Sequence, residues 1–228
     1  MRPRIGITAP RRGMRAPYYL IKFSVWLCGG RPVPLTRLET VGTKSVDGLV
    51  LGGGTDVFPA LYKTTPKDAY RYDHDRDAVE LAWLTEAEKC HIPVLGICRG
   101  AQMMNVMNEG TLHLDVSQAY EDADYPKSLW RKAVFRKGIA IEADSLLARL
   151  VGTLRLRVNS MHSQSIDRPG RALTVTAREA NGVVQAIERP GHPFYLGVQF
   201  HPEFMIYRPS MRAVFRGLVG TASQRQTA

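Results

Sequence analysis

Four short apolar runs stand in the first half of the chain: Ile5 to Thr8, Pro32 to Leu35, Asp47 to Leu51 and Pro93 to Ile97. Three stretches with helical spacing alternate with them: Tyr18 to Cys28, Asp75 to Cys90 and Ala101 to Met107. In the first of these, Ile21, Val25 and Cys28 recur at i, i+4 and i+7 before Gly29-Gly30 stops the pattern. Strands that are apolar on both faces need cover on both sides. The alternation therefore predicts an α/β protein built on a doubly wound, mostly parallel sheet.

After Gly110 the pattern changes. Thr111 to Val116, Ala133 to Ile141, Leu154 to Val158, Leu173 to Arg178, Val183 to Glu188 and Phe194 to Phe200 all read as extended. One short helix, Asp144 to Val151 with Asp144 as its N-cap, interrupts them, and a last helix follows Pro209. Additional β-strands in the C-terminal half are thus expected. No repeat, low-complexity tract or long linker divides the 228 residues. Residues 1–221 read as a single domain and 222–228 as a flexible tail.

Composition narrows the function classes. Every apolar run falls short of the roughly 18 residues that a membrane span needs, and the N-terminal segment lacks a signal-peptide core, so a cytoplasmic protein without membrane contact is expected. The formal charge of +10 comes from 31 dispersed basic residues, mildly concentrated from Lys127 to Arg157 and without a nucleic-acid motif, so no nucleic-acid partner is expected. Three scattered cysteines make neither a disulfide framework nor a zinc site. Cys28 and Cys90, at helix ends, read as packing residues.

Cys98 is different. It stands between an apolar strand and a helix with glycines at minus two and plus two, Gly96-Ile97-Cys98-Arg99-Gly100. A tight strand-to-helix turn projects its central side chain into the crevice at the carboxyl ends of the strands, as a nucleophile elbow does. The helix N-terminus favours the thiolate, the reactive form. A thiolate nucleophile needs a base, and the base an orienting group. His201-Pro202-Glu203 supplies both, since residues two apart on an extended chain share a side. An oxyanion also needs donors. Gly52-Gly53-Gly54 ends a strand expected beside the elbow strand, so the amides of Gly53 and Gly54 are candidates together with the Arg99 N–H. No phosphate-cradling pattern accompanies the triplet.

These segments resemble the class I glutamine amidotransferase superfamily, whose triad runs Cys, His, Glu in chain order and whose core is flavodoxin-like. Four segments make the chain similar to the gamma-glutamyl-gamma-aminobutyrate hydrolase (peptidase C26) family: Gly96 to Gly100 with Arg99 after the cysteine, Asp75 to Glu80, Gly110-Thr111-Leu112 with Asp115, and Val158 to Gln164. The resemblance implies that Cys98 attacks a gamma-glutamyl amide to give a glutamyl thioester. His201 would protonate the leaving amine, Glu203 would hold the imidazole, and neither metal nor cofactor would be needed. It also implies that Gln102 touches the glutamyl group and that the segment with Asn159, Ser160 and His162 lines the pocket. His162 reads equally as a hydrogen-bonded loop residue. Arg76 reads either as a ligand for the substrate carboxylate or as a helix-start ion pair with Asp73 or Asp77.

The chain departs from the family pattern at Asn108, Leu114 and Ser163, all expected near the pocket and bearing on the amine side of the substrate. The leaving amine is therefore open: gamma-aminobutyrate, a polyamine, ethanolamine or another amine. Two other readings remain: the glutaminase subunit of a two-chain amidotransferase that passes ammonia to a synthetase, and a non-catalytic binding protein. Relatives are often dimers, which makes a homodimer an expectation.

Overall fold

The computed structural model describes residues 1–10, 15–42, 45–67, 70, 72–123, 125, 135–160 and 162–226. The expected strand start at Ala133, Met161 within the pocket segment, and Lys127, Arg131 and Lys132 of the basic stretch lie outside the described residues.

The N-terminal strands are β1 (Arg4–Thr8), β2 (Arg31–Leu35), β3 (Gly48–Leu51) and β4 (Val94–Ile97), and the helices among them are α1 (Ala16–Leu27), α2 (His74–Lys89) and α3 (Arg99–Met107). β5 (Leu112–His113) pairs with β8 (Ser165–Ile166) as a separate ribbon, and α4 (Val116–Ala119) is one short turn. β6 (Lys137–Ile141), α5 (Leu146–Val151), β7 (Arg155–Val158), β9 (Thr174–Glu179), β10 (Val184–Glu188), β11 (Tyr195–Val198) and α6 (Pro209–Arg225) complete the elements used here.

One nine-stranded sheet runs β2-β1-β3-β4-β11-β10-β9-β6-β7. The first five strands are mutually parallel, and β10, β9, β6 and β7 continue the sheet through antiparallel pairs. The extra strands of the second half thus extend the parallel core instead of forming a second layer. Alternation along each strand divides the core. Ile5, Ile7, Val50, Leu95, Ile97, Leu196 and Val198 face α1, α5 and α6, while Leu49, Leu51, Val94 and Tyr195 face α2 and α3. Both faces are covered, which is why these strands read as continuous apolar runs.

Three details differ from the sequence expectation. Of the expected strand Thr111 to Val116 only Leu112–His113 pairs, because the Asp115 carboxylate accepts the Ser117 N–H and starts a helical turn. The N-cap of α5 is Ser145, whose hydroxyl accepts the Ala148 N–H at 3.0 Å; Asp144 instead accepts at its carbonyl from Arg149. The last helix runs through the expected tail to Arg225. Ala222 is fully buried against the sheet, and Gln226 donates to Asp47.

Candidate active site

Cys98 caps α3 directly after β4, with φ +51° and ψ −105°. A residue with a side chain rarely adopts this conformation, and holding it costs about 1–3 kcal/mol. The neighbouring glycines make room. A Cβ at Gly96 would lie 2.7 Å from the Ala101 nitrogen and would collide with Met104, and one at Gly100 would run into the Leu51 carbonyl of β3. The turn is pinned by the Cys98 N–H, which donates to Val198 O at 2.7 Å, and by the Cys98 carbonyl, which accepts the Gln102 N–H.

β11 lies parallel beside β4, so the residues that follow β11 arrive at the same end of the sheet as Cys98. His201 is there. Its backbone N–H donates to Asn159 Oδ1 at 2.9 Å and its carbonyl accepts from Asn159 Nδ2 at 3.1 Å, a two-point clamp on the main chain. The ring is fixed separately: Nδ1 lies 2.7 Å from Glu203 Oε1, and Phe204 packs edge-on at 5.5 Å. Burial pushes the imidazole toward the neutral form, but the Glu203 carboxylate and the Cys98 sulfur, also its hydrogen-bond partner, lift its pKa to about 10. Gly53 closes the arrangement. A Cβ there would stand 2.6 Å from His201 Cε1 and 3.7 Å from Cys98 Cβ. Sulfur, imidazole, carboxylate and glycine loop therefore converge, as the motif reading expects.

Arg76 holds that loop. Its guanidinium donates to the carbonyls of Gly53 (3.0 Å) and Gly52 (2.8 Å) and to Glu80 Oε1 (2.8 Å). Turning these carbonyls inward leaves the N–H groups of Gly53 and Gly54 without a backbone acceptor among the described residues. The Arg99 N–H, in the first turn of α3, lacks an intrahelical acceptor for the ordinary geometric reason. Of the three proposed oxyanion donors, Gly53 lies against His201 and Cys98 and Arg99 follows Cys98 in the chain, whereas the nearest neighbours of Gly54 are the side chains of Arg76 and Arg99. Reading Arg76 as a substrate ligand is overturned: the side chain is 2% exposed and all three guanidinium nitrogens are engaged inside the protein. Its expected carboxylate partners are also wrong, since Asp73 caps the helix by accepting the Arg76 backbone N–H, and Asp77 pairs with Arg99. Glu80 bridges Arg76 and Arg99 and accepts from Thr8 Oγ1 at 2.7 Å. Burial alone would raise the Glu80 carboxyl; the two arginines and these hydrogen bonds hold it below its usual range.

The remaining expected pocket residues are engaged internally. Asn159 sits behind His201, as the clamp above requires. His162 donates from Nδ1 to Gln164 O at 2.8 Å and accepts at Nε2 from Ser160 Oγ at 3.0 Å. Burial pushes its pKa down to about 4, so the ring is neutral. This is the hydrogen-bonded loop reading of His162. Gln102 Nε2 donates to Gln164 O and Gln199 Oε1. Ser163 lies beside the glycine loop, donating to Asp56 Oδ1 at 2.7 Å, and the Leu114 carbonyl accepts from Lys67. Asn108 is not near the pocket. It ends α3, at the opposite end of that helix from Cys98, where it bonds Tyr195 OH and Arg189.

Sequence reasoning missed two residues. Glu80 was visible only as part of a family segment, and its i, i+4 spacing from Arg76 was the available signal. Gln199, two before His201 on the same strand side, was visible by the rule that placed Glu203, but a buried amide carries no distinctive pattern.

The Peptidase C26 family model matches residues 16–203, a span that includes all three converging side chains. A relative from Mycobacterium tuberculosis (strain H37Rv), named provisionally as a glutamine amidotransferase, is 38% identical over 191 residues, covering 81% of this chain and 59% of that protein. The chain thus spans less than two thirds of that relative's length. A gamma-glutamyl-gamma-aminobutyrate hydrolase from Escherichia coli O157:H7 is 32% identical over 216 residues, covering 88% of this chain and 83% of that protein. Among solved structures, the Trypanosoma brucei CTPS glutaminase domain with bound acivicin matches with a TM-score of 0.67 over 97% of this chain and 94% of that one. At 16% identity it bears on the fold alone. A strained cysteine turn on a five-stranded parallel core, a histidine returning on the adjacent strand, and a family match running from α1 to Glu203 agree: the chain belongs to the peptidase C26 family, within the class I glutamine amidotransferase superfamily.

Proposed function

We propose that the protein hydrolyses the gamma-glutamyl amide bond of a small gamma-glutamyl-amine through a glutamyl thioester on Cys98. The observation that carries this reading is the convergence of the Cys98 thiol with the His201 ring, which Glu203 holds at 2.7 Å and which the sulfur helps keep protonated. The thiolate attacks the gamma-carbonyl carbon, and the resulting oxyanion is received by the amides of Gly53, Gly54 and Arg99. The C–N bond breaks as His201 gives its proton to the departing amine. Water then attacks the thioester while His201 takes its proton, and the C–S bond breaks to release glutamate and restore the thiolate. The hydrolase name of the Escherichia coli relative supports a free amine as product.

The test is glutamate release from gamma-glutamyl-gamma-aminobutyrate, gamma-glutamylputrescine, gamma-glutamylethanolamide and glutamine. Release from one of the amides at a higher kcat/KM than from glutamine supports the reading. Release from glutamine alone, rising on addition of a synthetase chain, overturns it.

The imidazole gives a pH signature. Its raised pKa keeps it protonated until the pH passes about 10, so the proton donor to the leaving amine is loaded across the neutral range. The kcat/KM profile, which reports the free enzyme, should therefore decline only near that pH. Glu203→Gln removes the carboxylate charge that raises the value, and the alkaline limb of kcat/KM should move down by at least about one pH unit. An alkaline limb that stays in place in the variant contradicts this role for Glu203.

Gly53→Ala tests the loop. The added methyl would stand 2.6 Å from His201 Cε1, and the clamped ring has little room to retreat. Turnover should fall by roughly 10²-fold, the scale of a misplaced catalytic group, with far-ultraviolet circular dichroism unchanged. Full activity in the variant would mean that the ring does not work from this position.

A further inference from the structure

The Cys98 sulfur has a second polar neighbour besides the imidazole. Gln199 Nε2 lies 3.4 Å from Sγ, within donor range for sulfur, and the side chain is 1% exposed. The β4–β11 register sets this contact. Val198 pairs with Ile97 and receives the Cys98 N–H, so the next residue of the returning strand stands beside the nucleophile.

The direction of the Gln199 amide is dictated by its neighbours. The Gln164 main-chain carbonyl can only accept, so Gln102 must present its NH2 group there, at 2.8 Å. The same NH2 group then meets Gln199 Oε1 at 3.1 Å. With its oxygen engaged, Gln199 turns its own NH2 group toward the sulfur. Gln164 is anchored in turn, because its side chain accepts from the Val57 N–H at 2.9 Å and donates to Tyr62 OH at 2.9 Å. Reversing the Gln199 amide would set oxygen against sulfur and nitrogen against the Gln102 nitrogen.

We propose that Gln199 is a catalytic residue: its amide N–H donates to the Cys98 thiolate and stabilises it before attack, and Gln102 is the positioning residue that keeps the donor aimed. A thiolate is a far better acceptor than a thiol, so the bond favours the ionised form. When the sulfur becomes a thioester it loses that charge and the bond weakens. This inference rests on Cys98 being the nucleophile of the proposed reaction, but the thiolate can be read without any gamma-glutamyl substrate.

The experiment is the pH dependence of iodoacetamide alkylation, followed by mass spectrometry on the peptide that carries Cys98. Gln199→Met keeps the side-chain length and removes the donor. The pH of half-maximal alkylation should rise by about one unit. Gln199→Glu places a negative acceptor against the sulfur and should raise it further. Gln102→Met leaves Gln199 in place but unaimed and should give a smaller rise in the same direction. Coincident profiles for the unaltered protein and whichever of Gln199→Met and Gln102→Met folds overturn the proposal. If the shift appears while no gamma-glutamyl amide is hydrolysed, the hydrolase reading fails and the Gln199 assignment stands.

Discussion

Replacing Cys98 by alanine should lower glutamate release from any accepted gamma-glutamyl amide by about 10⁴-fold or more, the scale seen when a triad nucleophile is removed. No second thiol can substitute. Cys28 is half-buried on the α1 and α6 side of the sheet with its sulfur against the Arg212 carbonyl, and Cys90 is exposed at the end of α2. The variant should fold normally, because alanine keeps the Cβ and the change removes only the sulfur from the turn. Steady-state kinetics with the best amide of the panel would measure the loss. Activity within tenfold of the unaltered protein would end the enzyme reading as written.

The second large effect concerns stability. Glu80 is completely buried between two arginines that are themselves 1–2% exposed, and among the described residues it is the only carboxylate paired with both. Glu80→Ala leaves Arg76 with carbonyl partners alone and Arg99 with Asp77 alone. Breaking a buried charge network by removing one partner costs about 3–5 kcal/mol, a large share of the roughly 5–15 kcal/mol that keeps a domain folded. A large drop in the urea midpoint, or loss of soluble protein, is expected. Glu80→Gln keeps the shape and most hydrogen bonds and should lie between the two. An unchanged urea midpoint for Glu80→Gln and Glu80→Ala alike would show that the network does not hold the loop. The pH dependence follows from the same carboxylate. Its folded-state pKa is depressed, so its stabilisation is present above the unfolded value near 4.3 and is lost as the pH falls through the folded one.

Much of this architecture was legible in the sequence because it is written in local periods. β1 to β4 and α1 to α3 announce themselves by apolar runs and helical spacing. The elbow announces itself by glycines whose steric need the structure explains. What stayed hidden was set by partners distant in the chain. Nothing near residue 76 reveals that the carbonyls of Gly52 and Gly53 stand where they engage its guanidinium. The end of α6 looked frayed because Ala222 and its small neighbours carry little apolar weight. The burial of Ala222 depends on β1 and β3, more than 170 residues earlier in the chain. Asn108 was misplaced for a related reason: sequence proximity to Cys98 suggests the pocket, yet nine helical residues carry the chain about 13 Å away from it.

Covalent trapping addresses the central claim most directly. The protein is mixed with an accepted gamma-glutamyl amide, quenched in acid within the first turnover, digested and mapped by mass spectrometry. Convergence of sulfur, imidazole and carboxylate into one working nucleophile predicts a single glutamyl adduct, on the peptide containing Cys98, that disappears with hydroxylamine. Multiple turnovers with no adduct on that peptide in the pre-steady-state phase, or an adduct on Cys28 or Cys90 instead, would contradict it.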